Sequence, residues 1–293
     1  MAAKKIRFLL PLFINEIIEH DVVKFNINRN KLSNMIFEEF KDNYKPFTEL
    51  ADDNNVTFQF NLNNSNAELY RVKRELGELF NDEIDTDAIL FRSFFYTYIN
   101  YPADKREIII YNDIYRDIMQ GVEAKKQISV KFNGKFRNIE PFFISSTKEE
   151  RFNYVCCYCY KNKKIVNYRL SKIERVILLK NDQKFRNESK IEEYKNNFDP
   201  YLSYDKKVKI KLTKRGVELY KIFTFTPKVL EELRLREPQA SEEGGGAIYV
   251  VEASSLKARL FFPQFMEEVE ILEPLELREW FRERVKKMGE IYG

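Results

Sequence analysis

The chain has 293 residues, 44% of them hydrophobic and 15% aromatic, and a formal net charge of +4. A length of this order accommodates two or three domains with separate buried cores. It contains no apolar run approaching the roughly 18 residues of a spanning helix, so a membrane partner is not expected.

The run 6–18 is broken by Pro11, Asn15 and Glu16 and makes a poor signal peptide. Cys156, Cys157 and Cys159 are too clustered for a disulfide framework, and the expected location is the reducing cytoplasm. The charge is uneven. Residues 125–190 carry 17 Lys/Arg against 6 Asp/Glu, a net of +11, whereas residues 1–124 carry 15 against 21. A local excess of this size suits a polyanionic partner; a merely solvated basic surface is the alternative.

In chain order, 12–20 predicts a short amphipathic helix, with Pro11 tolerated at its first turn. Over 22–28, Val23, Phe25 and Ile27 alternate with Lys24, Asn26 and Asn28, the pattern of a half-buried strand. Leu32, Met35, Ile36 and Phe40 recur at helical spacing over 31–44. Alternation returns over 56–62, with Val56, Phe58, Phe60 and Leu62 set against Thr57, Gln59 and Asn61. The next helix carries Leu69, Val72, Leu76 and Leu79 on one stripe, with Ser65 as its cap. A nearly all-apolar helix at 86–101 must be buried.

The repeat of strand then helix, KFNINRN and FQFNLNN, resembles the ribbon-helix-helix motif. Members of that family pair two strands antiparallel and push the ribbon's polar face into the major groove of DNA. The resemblance implies a nucleic-acid face of Lys24, Asn26, Asn28, Thr57, Gln59 and Asn61, whose amides donate and accept together at base edges. A ribbon that only builds a dimer or docks on a partner is the alternative.

Residues 104–127 predict one helix, with Ile108, Ile109, Tyr111, Ile114, Tyr115 and Ile118 as its apolar surface, leading into a strand at 127–132. Three apolar runs follow, 139–144, 154–160 and 166–179. Their length and their β-branched and aromatic content predict strands, and Asn162 suits a hairpin loop. Arg137, Pro141, the triplet Asn153-Tyr154-Val155 and the run Arg169-Leu170-Ser171-Lys172-Ile173 together resemble a WYL domain, a small β-barrel module of prokaryotic regulators. That family shows an Arg, a Pro, a Trp-Tyr-Leu triplet and a strand ending in Arg-Leu-Asp-Arg-Ile. Here only the Tyr of the triplet is kept, Ser171 stands for the Asp, and Lys172 for the second Arg.

Basic and aromatic residues interleave on these strands: Lys135, Arg137, Tyr154, Lys163, Lys164, Tyr168, Arg169, Lys172 and Arg175. Cations take phosphates and tyrosine faces stack unpaired bases. Core packing is the alternative for Tyr154 and Tyr168, and a solvated turn for the lysines of 161–164. A closed barrel is expected to bring Arg137 and Arg169 near each other.

Residues 180–206 predict a linker or edge segment. Strands follow at 208–212, 230–235, 247–252 and 268–272, with helices at 214–223, 255–266 and 274–291 and a flexible loop, PQASEEGGG, at 238–246. The order β-α-β-β-α-β suggests a ferredoxin-like sandwich. Its ending, with the Glu273-Pro274 turn and closing helix, resembles the extension that follows WYL domains. The expected fold class is α+β: a ribbon-helix-helix-like domain at 1–103, a linking helix plus WYL barrel of the small Sm or SH3 type at 104–190, and a ferredoxin-like dimerisation extension at 191–293.

Catalytic chemistry finds little support. Cys-Cys-Tyr-Cys on a strand lacks the spacing of a zinc site, and the single histidine, His20, is distant in sequence. The GGGA at 244–247 lacks the Lys-Ser/Thr of a phosphate loop, and the acids of 81–91 lack the glycine of a calcium turn. The expectation is a non-enzyme without cofactor or metal. The combined architecture is similar to the WYL accessory proteins of type VI-D CRISPR systems. That resemblance implies a homodimer that binds single-stranded RNA and raises the activity of the RNA-guided RNA nuclease. The alternative is a DNA-binding transcriptional regulator whose barrel senses a ligand or nucleic acid. A purely structural dimer scaffold would leave the +11 segment unexplained.

Overall fold

The computed structural model describes residues 4–50, 54–81, 83–147, 151–185, 187–235 and 246–293. The chain divides into two compact units, Met1–Phe185 and Arg186–Gly293.

The first unit opens with strand, helix, helix, twice over: β1 (Lys5–Pro11), α1 (Leu12–Lys24), α2 (Arg29–Phe40), then β2 (Asn55–Asn61), α3 (Asn64–Glu75), α4 (Asp87–Ile99). The two strands form an antiparallel ribbon within the chain, with Lys5 opposite Asn61 and Arg7 opposite Gln59. Strand alternation sends Ile6, Phe8, Leu10, Phe58 and Phe60 into the core and leaves Thr57, Gln59 and Asn61 outside beside Lys5 and Arg7. The buried helix α4 lies against the ribbon. Phe95 meets Phe8 at 5.7 Å and Phe58 at 4.9 Å between ring centres, and each such pair adds about 0.5–1.5 kcal/mol beyond its buried area.

The strand expected at 22–28 is instead the end of one helix and the cap of the next. Helix α1 runs on to Lys24 because Ile14, Ile18 and Asp21 fall on one buried face. Asn26 then takes φ 50°, and the N–H groups of Asn26 and Ile27 bond the carbonyls of Val23 at 3.3 Å and Val22 at 3.1 Å. This is a Schellman closure, in which Asn is among the few residues that tolerate the left-handed conformation. Two residues on, Asn28 Oδ1 accepts the Lys31 N–H at 2.7 Å and caps α2. Caps and hydrophobic closures thus imitated an alternating strand. The stripe expected on α3 also shifts: Asn66 and Tyr70 are its buried residues, Val72 and Leu76 are exposed, and Asn63 rather than Ser65 is the cap.

The helix expected at 104–127 is broken at Tyr111 into α5 (Ala103–Ile110) and α6 (Asn112–Glu123). Arg106 on α5 donates to the fully buried Asp21 through Nε at 2.6 Å and Nη2 at 3.1 Å, and the Tyr98 hydroxyl donates to the same carboxylate at 2.8 Å. Removing one member of such a pair would strand the other charge, at about 3–5 kcal/mol. This triad ties α1 to α4 and α5.

Next come β3 (Lys126–Phe132), β4 (Lys135–Ser146), β5 (Asn153–Cys159), β6 (Lys164–Arg169) and β7 (Ile173–Asp182). They form an antiparallel sheet in the order β6-β5-β4-β3-β7. No pairing among the described residues joins β6 to β7, so the expected closed barrel is an open five-stranded sheet. The single strand expected over 166–179 is two, parted by a 3-10 turn at Leu170–Lys172 where buried Leu170 pins the bend. Helix α6 packs on the sheet so closely that a Cβ at Gly121 would stand 2.6 Å from Ile128 Cγ2. Buried Glu140 accepts the Tyr160 hydroxyl and the N–H groups of Lys184 at 2.7 Å and Phe185 at 2.8 Å, fastening the chain that leaves β7.

The second unit contains α7 (Glu188–Asn196), β8 (Lys207–Leu212), α8 (Lys214–Ile222), β9 (Lys228–Arg234), β10 (Ala247–Glu252), α9 (Ser255–Phe261), β11 (Val269–Glu273) and α10 (Leu275–Tyr292). From β8 to β11 the order is the expected β-α-β-β-α-β, and the strands lie β11-β8-β10-β9 with antiparallel neighbours. The stretch expected as a linker at 180–206 holds α7, which buries no residue. The helix expected through Met266 stops at Phe261 and continues as a 3-10 segment, Phe262–Glu268. The loop expected at 238–246 lies, except for Gly246, outside the described residues. None of the helices among those residues is long and apolar enough to cross a membrane.

Candidate nucleic-acid interface

Within the first unit, a groove of about 820 Å³ lies between the α1–α2 connection, the α5–α6 junction and the turn joining β6 to β7. Its wall brings together residues drawn from both expected nucleic-acid faces: Lys24, Asn26 and Asn28 from one, Arg169 and Lys172 from the other. The caps described above put Asn26 and Asn28 there, because a chain reversing between two helices exposes its cap residues. The N-terminal turns of α2 and α6 also reach the groove through Lys31, Asn112 and Asp113. Such turns carry a partial positive charge, although the Lys31 N–H itself is already taken by the Asn28 cap. Glu38, Glu39, Asp113 and Glu174 line it as well, so the cationic path is the side of Lys24, Arg169 and Lys172.

An aromatic node stiffens that side. The Arg169 guanidinium sits 3.1 Å from the centre of the Phe152 ring, and the Lys24 ammonium 4.3 Å from the same ring. Phe152 meets Phe25 edge-on at 6.4 Å, and Phe25 meets Tyr111 at 6.1 Å. Arg169 Nε also donates to Ser171 Oγ at 3.0 Å. Burial holds the Lys24 ammonium below its ordinary pKa, against the opposing pull of Asp21 and Glu107. Two cations fixed on one ring hold their charges in place before any ligand arrives.

The other expected site residues are dispersed. Arg137 is half-buried on β4 opposite Val130, and its Nη1 donates to the Phe136 carbonyl at 2.9 Å. Its charge reaches Tyr168, partly offsetting the rise that burial imposes on that phenol. Tyr168 is itself buried, with its hydroxyl 3.4 Å from Cys159 Sγ, and belongs to the core. Because Tyr168 and Arg169 are consecutive on β6, they point to opposite faces. The sheet therefore separates Arg137 from Arg169, and the juxtaposition expected of a closed barrel is not made. Tyr154 is half-buried opposite Arg169 and Ser145. Lys163 and Lys164 are exposed where β5 turns into β6, Lys135 is exposed at the start of β4, and Arg175 is exposed on β7. Thr57, Gln59 and Asn61 stand on the β1–β2 ribbon, not with Lys24, Asn26 and Asn28.

Sequence reasoning missed Lys5 and Arg7, which alternate with Ile6, Phe8 and Leu10 and could have been read as a strand. It also missed Phe152, immediately before the triplet, and Phe25 and Tyr111 as supports of the groove. Asn153, in the tryptophan position of the triplet, serves the fold. Its N–H and Nδ2 donate to Glu107 Oε2 at 2.6 and 2.9 Å, and Nδ2 also donates to the Asp104 carbonyl at 2.7 Å. Cys156, Cys157 and Cys159 are buried thiols; burial pushes Cys156 up to about 12 and Cys157 well above the ordinary value. His20 Nδ1 lies 3.4 Å from Asp21 Oδ1. Among the described residues, no group of three or more His, Cys, Asp or Glu could hold a metal ion.

Residues 205–289 match the family model of the WCX domain, so the second unit carries a domain of that type. The fold of the chain is shared with a crystal structure described as a CRISPR Cas-related protein, at a TM-score of 0.70 and 14% identity over 100% of this chain and 95% of that one. The proteasome accessory factor B/C of Arthrobacter aurescens aligns at 16% identity over 96% of this chain and 46% of that one, with a TM-score of 0.31, too low to argue a shared fold. No curated protein sequence matches the chain.

Proposed function

We propose that the protein is a non-catalytic regulator that binds single-stranded RNA and raises the activity of a type VI-D CRISPR RNA nuclease, acting as a cytoplasmic homodimer. The observation that carries this reading is the groove, where the amides Asn26 and Asn28 and the cations Lys24, Arg169 and Lys172 meet beside an aromatic node. Cations neutralise phosphates, amides read the edges of unpaired bases, and a concave path favours a flexible single strand over a rigid duplex. The WCX domain and the fold shared with a CRISPR Cas-related protein support the accessory role. We read the β-α-β-β-α-β unit as the ferredoxin-like extension and assign dimerisation to it, since its edge strand β9 is exposed along its whole length.

A second reading rests on the β1–β2 ribbon. We read the doubled strand-helix-helix order as a ribbon-helix-helix fold closed within one chain, and its exposed face of Lys5, Arg7, Thr57, Gln59 and Asn61 suits the major groove of DNA. Competition between single-stranded RNA and duplex DNA for the pure protein separates the two, followed by a nuclease assay with and without the protein. The proposal expects RNA to win, no consensus to emerge from random duplex DNA, and cleavage to rise. A sharp duplex consensus would favour the regulator instead.

A further inference from the structure

The outward face of the central sheet carries groups that the groove does not use. On β4, β3 and β7 the residues pointing away from the buried Ile128, Val130 and Ile139 form two cross-strand rows, Phe136–Lys131–Arg175 and Asn138–Ser129–Ile177. Phe136 is 49% exposed and Ile177 39%. Singly exposed apolar residues are ordinary. Here a ring, an aliphatic side chain, a guanidinium and an amide share one tier, roughly 10 Å across the strands and about 7 Å along them, with small Ser129 as its floor.

The chemistry of the tier selects an occupant. A phenylalanine face stacks any unpaired base, and an adjacent cation takes the flanking phosphate. Lys131 is engaged by Glu174 at 2.8 Å, and that carboxylate also accepts the Gly134 N–H at 2.7 Å. No ion pair among the described residues holds Arg175, which leaves it the cation of the row for a phosphate. The tier adjoins the groove in sequence: Lys172, Ile173 and Glu174 line the groove, and Arg175 is the next residue on β7. The tier and the Arg169–Glu174 side of the groove lie in the segment 125–190, which carries 17 basic residues against 6 acidic ones.

We propose that this face is a base-stacking platform for single-stranded RNA. A strand leaving the groove past the β6–β7 turn lays its next base on Phe136 and a phosphate on Arg175. The proposal rests on the RNA-binding reading above and extends it from the phosphate path to the place where bases stack.

The test titrates full-length protein with a labelled, unstructured oligouridine. Phe136→Leu, which keeps apolar bulk but loses the ring, should weaken binding about 5- to 150-fold, the range for losing one stacked base. Phe136→Trp should keep the affinity, and its added indole should be quenched by RNA beyond the response of wild type, which has only Trp280. Arg175→Gln should lower the salt slope by about 0.7. If wild type binds RNA while Phe136→Leu binds equally well, or the Phe136→Trp indole is not quenched, the platform is wrong and the groove reading stands. If wild type binds no RNA, the underlying reading fails and takes the platform with it. Unchanged RNA affinity with lost nuclease stimulation in Phe136→Leu would assign the face to protein contact and overturn the proposal.

Discussion

Asn26 shows how one side chain can mislead and inform at once. Its place between Phe25 and Ile27 fits an alternating strand, yet its φ of 50° marks it as the left-handed residue closing α1. A β-branched residue there would meet a steric cost of about 1–2 kcal/mol that glycine escapes. Asn26→Val should therefore lower the urea midpoint and Asn26→Gly should not; equal midpoints for the two would speak against the helix closure. The three cysteines lend themselves to a pH test. Burial raises the folded pKa of Cys156 to about 12 from an ordinary 9.0, and raises that of Cys157 as well. A raised folded pKa contributes stability that is full below the unfolded value and lost as pH rises toward the folded one. Stability should thus decline between about pH 9 and 12, and the thiols should resist alkylation near neutral pH until denaturant is added. Rapid labelling of native protein would contradict their burial.

Elements were legible where one pattern held from end to end. Helix α4, strand β2 and the strands of the second unit announce themselves through continuous apolar runs or clean alternation. Strand β1 did not, because its alternating Ile6, Phe8 and Leu10 run straight into the apolar start of α1 and read as one stretch. The break at Tyr111 was hidden because the apolar spacing continues across it. The turn at Leu170–Lys172 was hidden because Leu170 is as apolar as the strands beside it. The groove was half legible: Lys24, Asn26, Asn28, Arg169 and Lys172 were all candidates, but under two separate motifs. No local pattern could reveal that Lys24 at the end of α1 and Arg169 at the end of β6 meet on the Phe152 ring, since that meeting depends on Asp21 finding Arg106 and on Glu107 finding Asn153.

For the whole molecule, the partition into two units and the uneven charge suggest a division of labour. The basic sheet lies in the first unit; the second exposes β9 along its length and, on α10, Val285, Met288 and Ile291. Unpaired strand edges and apolar helix faces are what two-fold assembly covers. Light scattering at micromolar concentration should give twice the 35.2 kDa chain mass; a monomer would count against dimerisation through the second unit. RNA recognition, by contrast, should depend on the first unit's groove. The most direct measurement is the affinity of single-stranded RNA as a function of salt for wild type and for Arg169→Ala combined with Lys172→Ala, each checked for an unchanged melting temperature. Every phosphate that loses its cation should flatten the slope of log affinity against log salt by about 0.7. The double variant should therefore bind more weakly and with the shallower slope, whereas Arg137→Ala, across the sheet, should change the slope less. Wild-type affinity and slope in the folded double variant would contradict the groove as the RNA site.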